Sequence, residues 1–238
     1  MELTVGGAQS GIELFGWRTA AKVETTPHED QPVRPVASPI PPVVVRRGVP
    51  PVVWQLGAPH YRRSEETWRE AERPTATVSL SADDDALVLV VRVVTPSPVF
   101  VAADAVNLYD NEHPDINGNG VQFYLRTHSD GGAWMVVPVV GRTQARVRQL
   151  AGWGSLELAG AEWAATADGF EVRTRVPLPS AGRSDPFPID LDVLVNDAVP
   201  GRERRRGQLV LSGAEGEFVY LRGDRHDPDR LVSILVVP

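Results

Sequence analysis

Apolar and polar residues alternate along most of the chain after residue 74. In residues 170–176 every second position is apolar or threonine, and Glu171, Arg173 and Arg175 lie between them. A period of two is typical of a β-strand with one face against a core and the other face in water. Residues 121–125 and 189–195 follow the same pattern. The alternation therefore predicts strands from about residue 75 to residue 238.

Turn residues separate the predicted strands. Asp168-Gly169 is the strongest hairpin dipeptide of the sequence, and two more turns are expected at residues 83–85 and 130–132. The predicted strands cover residues 76–80, 87–94, 121–125, 134–140, 163–166, 170–176, 189–195, 208–211, 218–221 and 231–237. Many short strands with hardly a helix predict an all-β fold, an antiparallel β-sandwich of the jelly-roll type.

The first 74 residues follow a different pattern. Alternation over residues 2–24 predicts one or two edge strands, and the recurring prolines from Pro27 to Pro51 predict an extended strap along the surface. Residues 64–71 predict one short helix, with Ser64 as its cap and Trp68 as an anchor onto a sheet. We therefore expect two parts: edge strands and a proline-rich strap over residues 1–51, and the sandwich over residues 52–238.

Composition and charge exclude several classes of protein. The net charge of −7 opposes nucleic-acid binding, and the one basic run, Arg202 to Arg206, is expected at a solvated hairpin tip. The apolar runs are too short to cross a membrane. No cysteine is present, which excludes disulfides and thiolate sites. The sequence contains neither a P-loop nor a dinucleotide-binding fingerprint, so we expect no nucleotide cofactor. The N-terminus lacks a secretion pattern, so we expect a cytoplasmic protein unless the chain is a fragment of a secreted one.

The richest set of potential ligands lies in residues 110–120, just before a predicted strand. This loop combines acids, asparagines and one histidine with proline and glycine. Oxygen-rich loops suit a hard cation such as Ca²⁺, and they equally suit sugar hydroxyls or a plain Asx-rich turn. The candidate metal ligands of this loop are Asp110, Glu112, Asp115 and Asn117.

One tryptophan is a candidate platform for a ligand. Trp153 lies between Gly152 and Gly154, at a loop edge where an indole ring is able to face solvent and stack on a sugar. Trp134 and Trp163 begin strands, so we expect them in the core.

Carboxylates occur in pairs, but none of these pairs lies in a complete catalytic motif. Asp190 and Asp192 share one face of a predicted strand, where they are expected to be hydrated or to bind a cation. Residue type alone is compatible with the acid and nucleophile of a glycosidase. Residues 224–229 around His226 predict a terminal turn or a second polar cluster.

Several motifs follow one another in a particular order over residues 52–238. They are the tryptophan-bearing short helix, the strand at residues 86–93, the run Asn119-Gly120-Val121-Gln122-Phe123-Tyr124-Leu125, the hairpin from Asp168 to Leu178, and Asn196-Asp197 followed by Arg202. In order and spacing these motifs resemble the family 9 carbohydrate-binding modules. The resemblance implies a non-catalytic β-sandwich, often with structural calcium. It also implies binding of sugar chains, in the best-known members at reducing ends through two stacked aromatic rings.

The resemblance implies roles for single residues. It assigns ligand binding to Asn119 and Gln122, where the family commonly has Asp and Glu, and to Asn196-Asp197 and Arg202. The family's first aromatic ring would come from Tyr109 or His113.

The sequence departs from the family pattern at the second aromatic ring, and the family's fold raises the question of haem. Val199 stands where the second aromatic residue is expected. Haem-binding subunits of some dehydrogenases share the family's fold, but the spacing of Met135 and the histidines predicts no axial pair. We therefore expect no haem.

These observations lead to three hypotheses. The favoured one is a non-enzymatic module that recognises glycan through loop 110–120, Asn196-Asp197 and Trp153, with carbohydrate as partner and Ca²⁺ as candidate cofactor. The alternative is a structural accessory domain that packs on a glycan-active catalytic domain or subunit and binds no sugar. The least favoured is a carboxylate-based glycoside hydrolase.

Overall fold

The computed structural model describes residues 42–64, 66–108, 113–178, 185–214 and 226–238. Within these residues the strands are β1 Val43–Arg46, β2 Val52–Leu56, β3 Tyr61–Arg62, β4 Thr75–Ala82, β5 Ala86–Val94, β6 Val121–Thr127, β7 Gly131–Val137, β8 Arg146–Gln149, β9 Gly160–Thr166, β10 Gly169–Pro177, β11 Phe187–Asp197, β12 Gly207–Val210 and β13 Val232–Val237. The strands predicted at residues 2–24 and 218–221, and most of the proline-rich strap, lie outside the described residues.

The strands form two sheets. The large sheet has the order β1-β13-β11-β6-β7-β8, and β12 and β3 continue from β11. The small sheet has the order β2-β4-β5-β10-β9. Neighbouring strands are antiparallel in every described pair except β1 with β13. The predicted fold class, an antiparallel β-sandwich, is confirmed.

The main core lies between the two sheets. In β4 every second side chain is buried, so that Ala76, Val78 and Leu80 point inward. They belong to one cluster with Phe123 and Val193 of the large sheet. Full burial of a Val, Leu or Phe side chain contributes about 1.5–3 kcal/mol each. This core is the physical origin of the period of two in the sequence.

The large sheet is buried on both faces at its centre. Val121, Phe123 and Leu125 of β6 point into the main core. Tyr124 and Met135 point the other way, into a second cluster on the outer face of the same sheet. Each of these five side chains is at most 2% exposed. The outer face of the large sheet is therefore a covered layer rather than a hydrated surface.

Residues 64–71 do not form the predicted helix. The Ser64 hydroxyl does accept from the Glu66 amide at 3.1 Å. The single turn that forms is capped by Thr67: the Glu70 carboxylate accepts from the Thr67 amide at 2.7 Å, and the Thr67 hydroxyl accepts from the Glu70 amide at 3.3 Å. Two left-handed residues with φ of 60° then end the turn before Pro74, because a helix cannot continue through them. No helix in the described residues is long and apolar enough to span a membrane.

Three tryptophans anchor the core as predicted. Trp134 is 2% exposed, and Trp68 and Trp163 are partly buried against the same cluster. The indole N–H of Trp68 donates to the Pro74 carbonyl at 2.8 Å. Phe100 meets the Trp163 ring edge to face, with centroids 5.3 Å apart.

The start of β7 differs from the prediction, which began this strand at Trp134. A Cβ atom at Gly132 would lie 2.2 Å from the Trp134 ring, and one at Gly131 would lie 2.5 Å from the Trp153 carbonyl oxygen. These glycines are thus strand residues that permit close packing, although their sequence is typical of a turn.

Candidate functional site

An open cleft of about 480 Å³ lies where β6 turns into β7. Its lining consists of Arg126, Thr127, His128, Asp130, Gly131, Gly152, Trp153, Gly154, His226 and Pro228. The volume lies in the range of about 300–1,000 Å³ found for small-molecule sites. One large aromatic ring among polar side chains is a combination suited to a ligand that has apolar faces and many hydroxyl groups.

Asp130 holds the loop that carries Trp153. Its carboxylate accepts from the Ser155 hydroxyl at 2.6 Å, the Ser155 amide at 3.0 Å and the Gly131 amide at 2.7 Å. These hydrogen bonds, above all the one from the Ser155 hydroxyl, lower the pKa of Asp130 below its usual 3.8. The carboxylate is therefore ionised at neutral pH and ties the Trp153 loop to the β6–β7 turn.

Two left-handed glycines flank Trp153 and shape its loop. Gly152 has φ of 85° and Gly154 has φ of 107°. The ring of Tyr124 meets the Trp153 indole at 4.8 Å between centroids and 65° between planes. Trp153 is thus supported from the outer face of the large sheet and remains half-buried at the edge of the cleft.

His226 forms part of the cleft wall and has a defined tautomer. Its Nδ1 lies 3.1 Å from an Arg63 guanidinium nitrogen, and its Nε2 lies 2.7 Å from Asp192 Oδ2. A guanidinium only donates, so Nδ1 is the acceptor and Nε2 carries the proton that Asp192 accepts. The imidazole lies 23° from parallel to the Trp153 indole, with centroids 6.4 Å apart.

Asn196 begins a buried polar network that reaches this wall. Its side-chain oxygen accepts from Arg205 at 3.0 Å and from Gln208 at 2.8 Å. The Gln208 oxygen in turn accepts from Arg63 at 3.0 Å. The predicted ligand residue Asn196, which is 0% exposed, is therefore connected to His226 through Gln208 and Arg63.

The predicted ligand residues Asn119 and Gln122 are also buried, at 1% and 0% exposure. Asn119 accepts from the Val99 amide at 2.6 Å and donates to the Asn196 carbonyl at 3.1 Å. Gln122 accepts from the Tyr124 hydroxyl at 2.9 Å. These polar groups join strands and loops to each other within the protein, and they do not line the Trp153 cleft.

Asp197 and Arg202 lie on the far side of the network from the cleft. Asp197 accepts from the Tyr61 hydroxyl at 2.9 Å and from Arg206 at 2.9 Å. Burial, followed by the charge of Asp197, raises the pKa of Tyr61, which keeps the phenol neutral. Arg202 is partly exposed and pairs with Glu66.

The basic run Arg202 to Arg206 lies in the connection between the paired strands β11 and β12 and is exposed at Arg202, so the predicted solvated hairpin tip is half correct. Arg205 is 4% exposed and Arg206 is 9% exposed. Both turn inward because Asn196 and Asp197 offer acceptors there. The prediction missed the burial of Arg205 and Arg206 because charge runs reveal no tertiary partners.

Asp115, a predicted metal ligand, is paired with two arginines. One carboxylate oxygen lies 2.6 Å from Arg146, and the other lies 3.0 Å from Arg148 and 3.0 Å from the His113 ring. The carboxylate is fully buried, whereas the His113 side chain is 40% exposed. A Ca²⁺ ion at Asp115 would stand beside two guanidinium charges. Asp115 therefore does not fit a calcium site in this arrangement.

The remaining residues of the predicted calcium and ring sites carry less information. Tyr109, Asp110 and Glu112 lie outside the described residues, and Asn117 is half-exposed. Among the residues that the structure describes, no three His, Asp or Glu side chains form a group able to hold a metal ion. Calcium in this loop stays a prediction.

Asp190 and Asp192 differ in environment although they share a face of β11. Asp192 is 0% exposed and accepts from Ser212 at 2.5 Å and from His226 at 2.7 Å. The prediction of a hydrated or cation-binding Asp192 is wrong, because residues of the following loops cover it. Asp190 is partly exposed and pairs with Arg126 at 3.2 Å.

Four polar residues of the cleft are not recognisable from the sequence as parts of one site: Arg126, His128, Asp130 and His226. Trp153 is recognisable from its flanking glycines. The Asp-Gly-Gly run at residues 130–132 is the one further signal, because an Asp before glycines often accepts from backbone amides of a turn. His226 follows Asp130 by almost a hundred positions, and no pattern in the sequence relates the two.

Comparisons with known proteins agree with the fold. No protein-family model matches the sequence, and no curated protein matches it. A family 9 carbohydrate-binding module from Caldicellulosiruptor kristjanssonii, in complex with cellotriose, has a similar structure with a TM-score of 0.55 and 17% identity over 82% of this chain and 93% of that one. A family 9 module from the same organism in complex with glucose gives a TM-score of 0.55 and 17% identity over 83% of this chain and 96% of that one. The described chain thus has the fold of a family 9 module, as the sequence motifs predicted.

Proposed function

We propose that this protein is a non-catalytic carbohydrate-binding module that takes glycan in the Trp153 cleft. The observation that carries the proposal is a half-buried indole, held by its loop at the edge of an open polar cleft. The flat face of an indole covers the C–H face of a sugar ring, while Arg126, His128 and Asp130 are placed to exchange hydrogen bonds with hydroxyl groups.

Preorganisation of the Trp153 loop supports this assignment. Two hydrogen bonds from Ser155 to the Asp130 carboxylate hold the loop before any ligand arrives, and the Gly131 amide fixes that carboxylate. A ligand then loses less affinity to the ordering of side chains and loops. The similar family 9 structures from C. kristjanssonii are complexes with cellotriose and with glucose, which favours sugars as the first ligands to test.

Three carboxylates from the predicted pairs, Asp115, Asp190 and Asp192, support binding rather than hydrolysis. Asp192 is buried against Ser212 and His226, and Asp115 is buried between two arginines. Asp190 is the partly exposed one, and it pairs with Arg126. A glycosidase needs an acid and a second carboxylate on either side of the scissile bond, and these environments favour structural roles instead. Calcium is not part of the proposed cleft.

A glycan array followed by calorimetric titration of the best glycan tests the proposal. We expect wild-type protein to bind, and Trp153→Ala to weaken binding at least about thirtyfold, because an aromatic anchor in a binding site commonly contributes about 2 kcal/mol or more. Trp68→Ala is the matched control, since this partly buried indole packs on the core and lines no part of the cleft.

Two results would overturn the proposal. If the wild type binds no glycan, with or without EDTA, the accessory-domain hypothesis takes its place. If Trp68→Ala and Trp153→Ala reduce binding equally at equal folded fractions, the sugar binds elsewhere.

A further inference from the structure

A second open cleft of about 370 Å³ adjoins the Trp153 cleft. Both clefts are lined by Arg126, Thr127 and His128. The second is completed by Pro188, Ile189 and Asp190 at the start of β11. The three shared residues make the two clefts neighbours along the end of β6.

Resting on the proposed function, we infer that the two clefts form one groove for a chain of at least two sugar units. The first unit stacks on Trp153, and the next unit contacts the ion pair of Arg126 and Asp190. The ligand class is therefore an oligosaccharide that continues beyond the aromatic platform, and not an isolated monosaccharide.

The ion pair between the clefts is held in a defined orientation. Asp190 Oδ2 accepts from two nitrogens of Arg126, at 3.3 Å and 3.2 Å. Asp190 Oδ1 accepts from the Ser233 hydroxyl at 2.9 Å. Register places Asp190 directly opposite Arg126 on β6 and opposite Ser233 on β13. Three adjacent strands thus hold one carboxylate at the floor of the second cleft.

This ion pair retains hydrogen-bonding capacity for a ligand. An ionised carboxylate has about four acceptor positions, and a guanidinium has five N–H donors. The hydrogen bonds to Arg126 and Ser233 use three of the acceptor positions and two of the donors. The Arg126 and Asp190 side chains are 41% and 31% exposed. A sugar offers adjacent hydroxyl groups that both donate and accept, which suits a donor and an acceptor side by side.

The charges around the groove favour a neutral sugar chain. Arg126 is opposed by Asp190 at 3.2 Å and lies 3.9 Å from Asp229. Asp130, which is ionised at neutral pH, also lines the first cleft. Among the described residues, neither cleft therefore presents an unopposed positive charge of the kind that would select an acidic sugar.

Titration with a series of one, two and three units tests the inference. The probes are glucose, cellobiose and cellotriose, or the corresponding series of the glycan that binds best on the array. We expect cellotriose to bind about tenfold more tightly than glucose, since hydrogen bonds to charged groups contribute on this scale. Asp190→Ala should remove that gain and weaken glucose binding much less, because the first unit is held mainly by the Trp153 ring.

Asp83→Ala is the matched control. Asp83 lies in the turn between β4 and β5, pairs with Arg175 at 2.7 Å, and has a side chain that is 48% exposed. It should leave the whole series unchanged. Asp190→Asn, which keeps the side-chain volume, repeats the test if Asp190→Ala lowers the folded fraction.

The possible results separate the inference from the proposed function. If glucose and cellotriose bind equally and Trp153→Ala abolishes both, the proposed function stands and the inference is wrong. If Asp190→Ala weakens glucose as much as cellotriose, the inference is also wrong, because Asp190 then belongs to the first unit. If wild-type protein binds no sugar, both fail.

Discussion

Single buried carboxylates hold the loops around the outer face of the large sheet. Asp192 accepts four hydrogen bonds, from the Val193 and Ser212 amides, the Ser212 hydroxyl and His226. Asp115 pairs with both Arg146 and Arg148. A buried charge is tolerated only when it is paired in this way. At this scale the predicted ligand oxygens serve the protein's own structure.

Asp115→Asn should lower the free energy of unfolding by about 2–3 kcal/mol. Removal of one member of a buried ion pair commonly costs about 3–5 kcal/mol, and the arginine side chains here are 22% and 23% exposed, which reduces the effect. Urea denaturation measures the change. Asp168→Asn, in an exposed pair with Arg92 at 3.0 Å, should have a much smaller effect.

The same experiment addresses calcium. If Arg146 and Arg148 are the cations that balance Asp115, denaturation of the wild type should be the same in Ca²⁺ and in EDTA. A urea midpoint that is clearly higher in Ca²⁺ than in EDTA would show that the protein binds the metal. Either Asp115 is then not its main anionic ligand, or Ca²⁺ displaces Arg146 and Arg148 from Asp115.

At the scale of elements, the Trp153 loop depends on two glycines that differ in their surroundings. A Cβ atom at Gly154 would lie 2.4 Å from Asp130 Oδ1 and from the Gly131 carbonyl oxygen, whereas one at Gly152 would meet no atom within 4 Å. Both glycines are left-handed. Substitution of alanine at Gly152 therefore tests backbone strain alone, whereas substitution at Gly154 also displaces the loop from Asp130.

Gly154→Ala should reduce glycan binding to the level of Trp153→Ala, because the new methyl group displaces the loop from Asp130. Gly152→Ala should cost about 1–2 kcal/mol of stability from the left-handed backbone alone and change binding little. Calorimetric titration beside thermal unfolding makes the comparison. Equal binding by both variants would contradict the assigned role of the loop.

At the scale of the whole molecule, both sides of the sandwich are bridged. The backbone of Arg47 forms an isolated β-bridge with Ala82 of β4, so the chain after β1 contacts the small sheet. On the opposite side Gln144 pairs with Glu162, and the Ala145 amide donates to the Ala161 carbonyl at 2.9 Å. Edge strands with free backbone groups invite association with other chains. These bridges reduce the open edge available for such pairing.

Stability should fall in two steps as the solution is acidified. Burial, followed by the charge of Arg62, lowers the pKa of His60 below 6.5. Hydrogen bonds from the backbone and side chain of Thr67 lower the pKa of Glu70 below 4.5. Hydrogen bonds from Ser155 lower the pKa of Asp130 below 3.8, and a hydrogen bond from Arg92 does the same for Asp168. Each group binds fewer protons in the folded than in the unfolded state, so stability rises with pH in its window.

The stabilisation is therefore complete above about pH 6.5; the part due to His60 is lost first, and the carboxylate part is lost below about pH 4.5. Urea midpoints at about pH 7.5, 5.5 and 3.5 measure the two steps. In His60→Gln the first step should shrink while the second remains. A urea midpoint that is higher at about pH 5.5 than at about pH 7.5 would contradict the role assigned to His60.

The sequence by itself determined the fold class and the positions of most strands. The period of two over residues such as 170–176 records which side chains face the core, and Asp168-Gly169 marks a turn through local backbone preference alone. Trp153 was also identifiable, since left-handed glycines on both sides are a local property. Strands without alternation were missed: β3 has only two residues, and in β8 Val147 is the one apolar side chain.

Only the tertiary structure decided what the polar residues do. The ion pair of Arg126 with Asp190 joins residues 64 positions apart, and the contact of Asp192 with His226 spans 34 positions. The same arginine or aspartate is a ligand group when exposed and a structural group when another strand supplies its partner. Residue type sets which hydrogen bonds are possible, and packing between distant segments sets which are made.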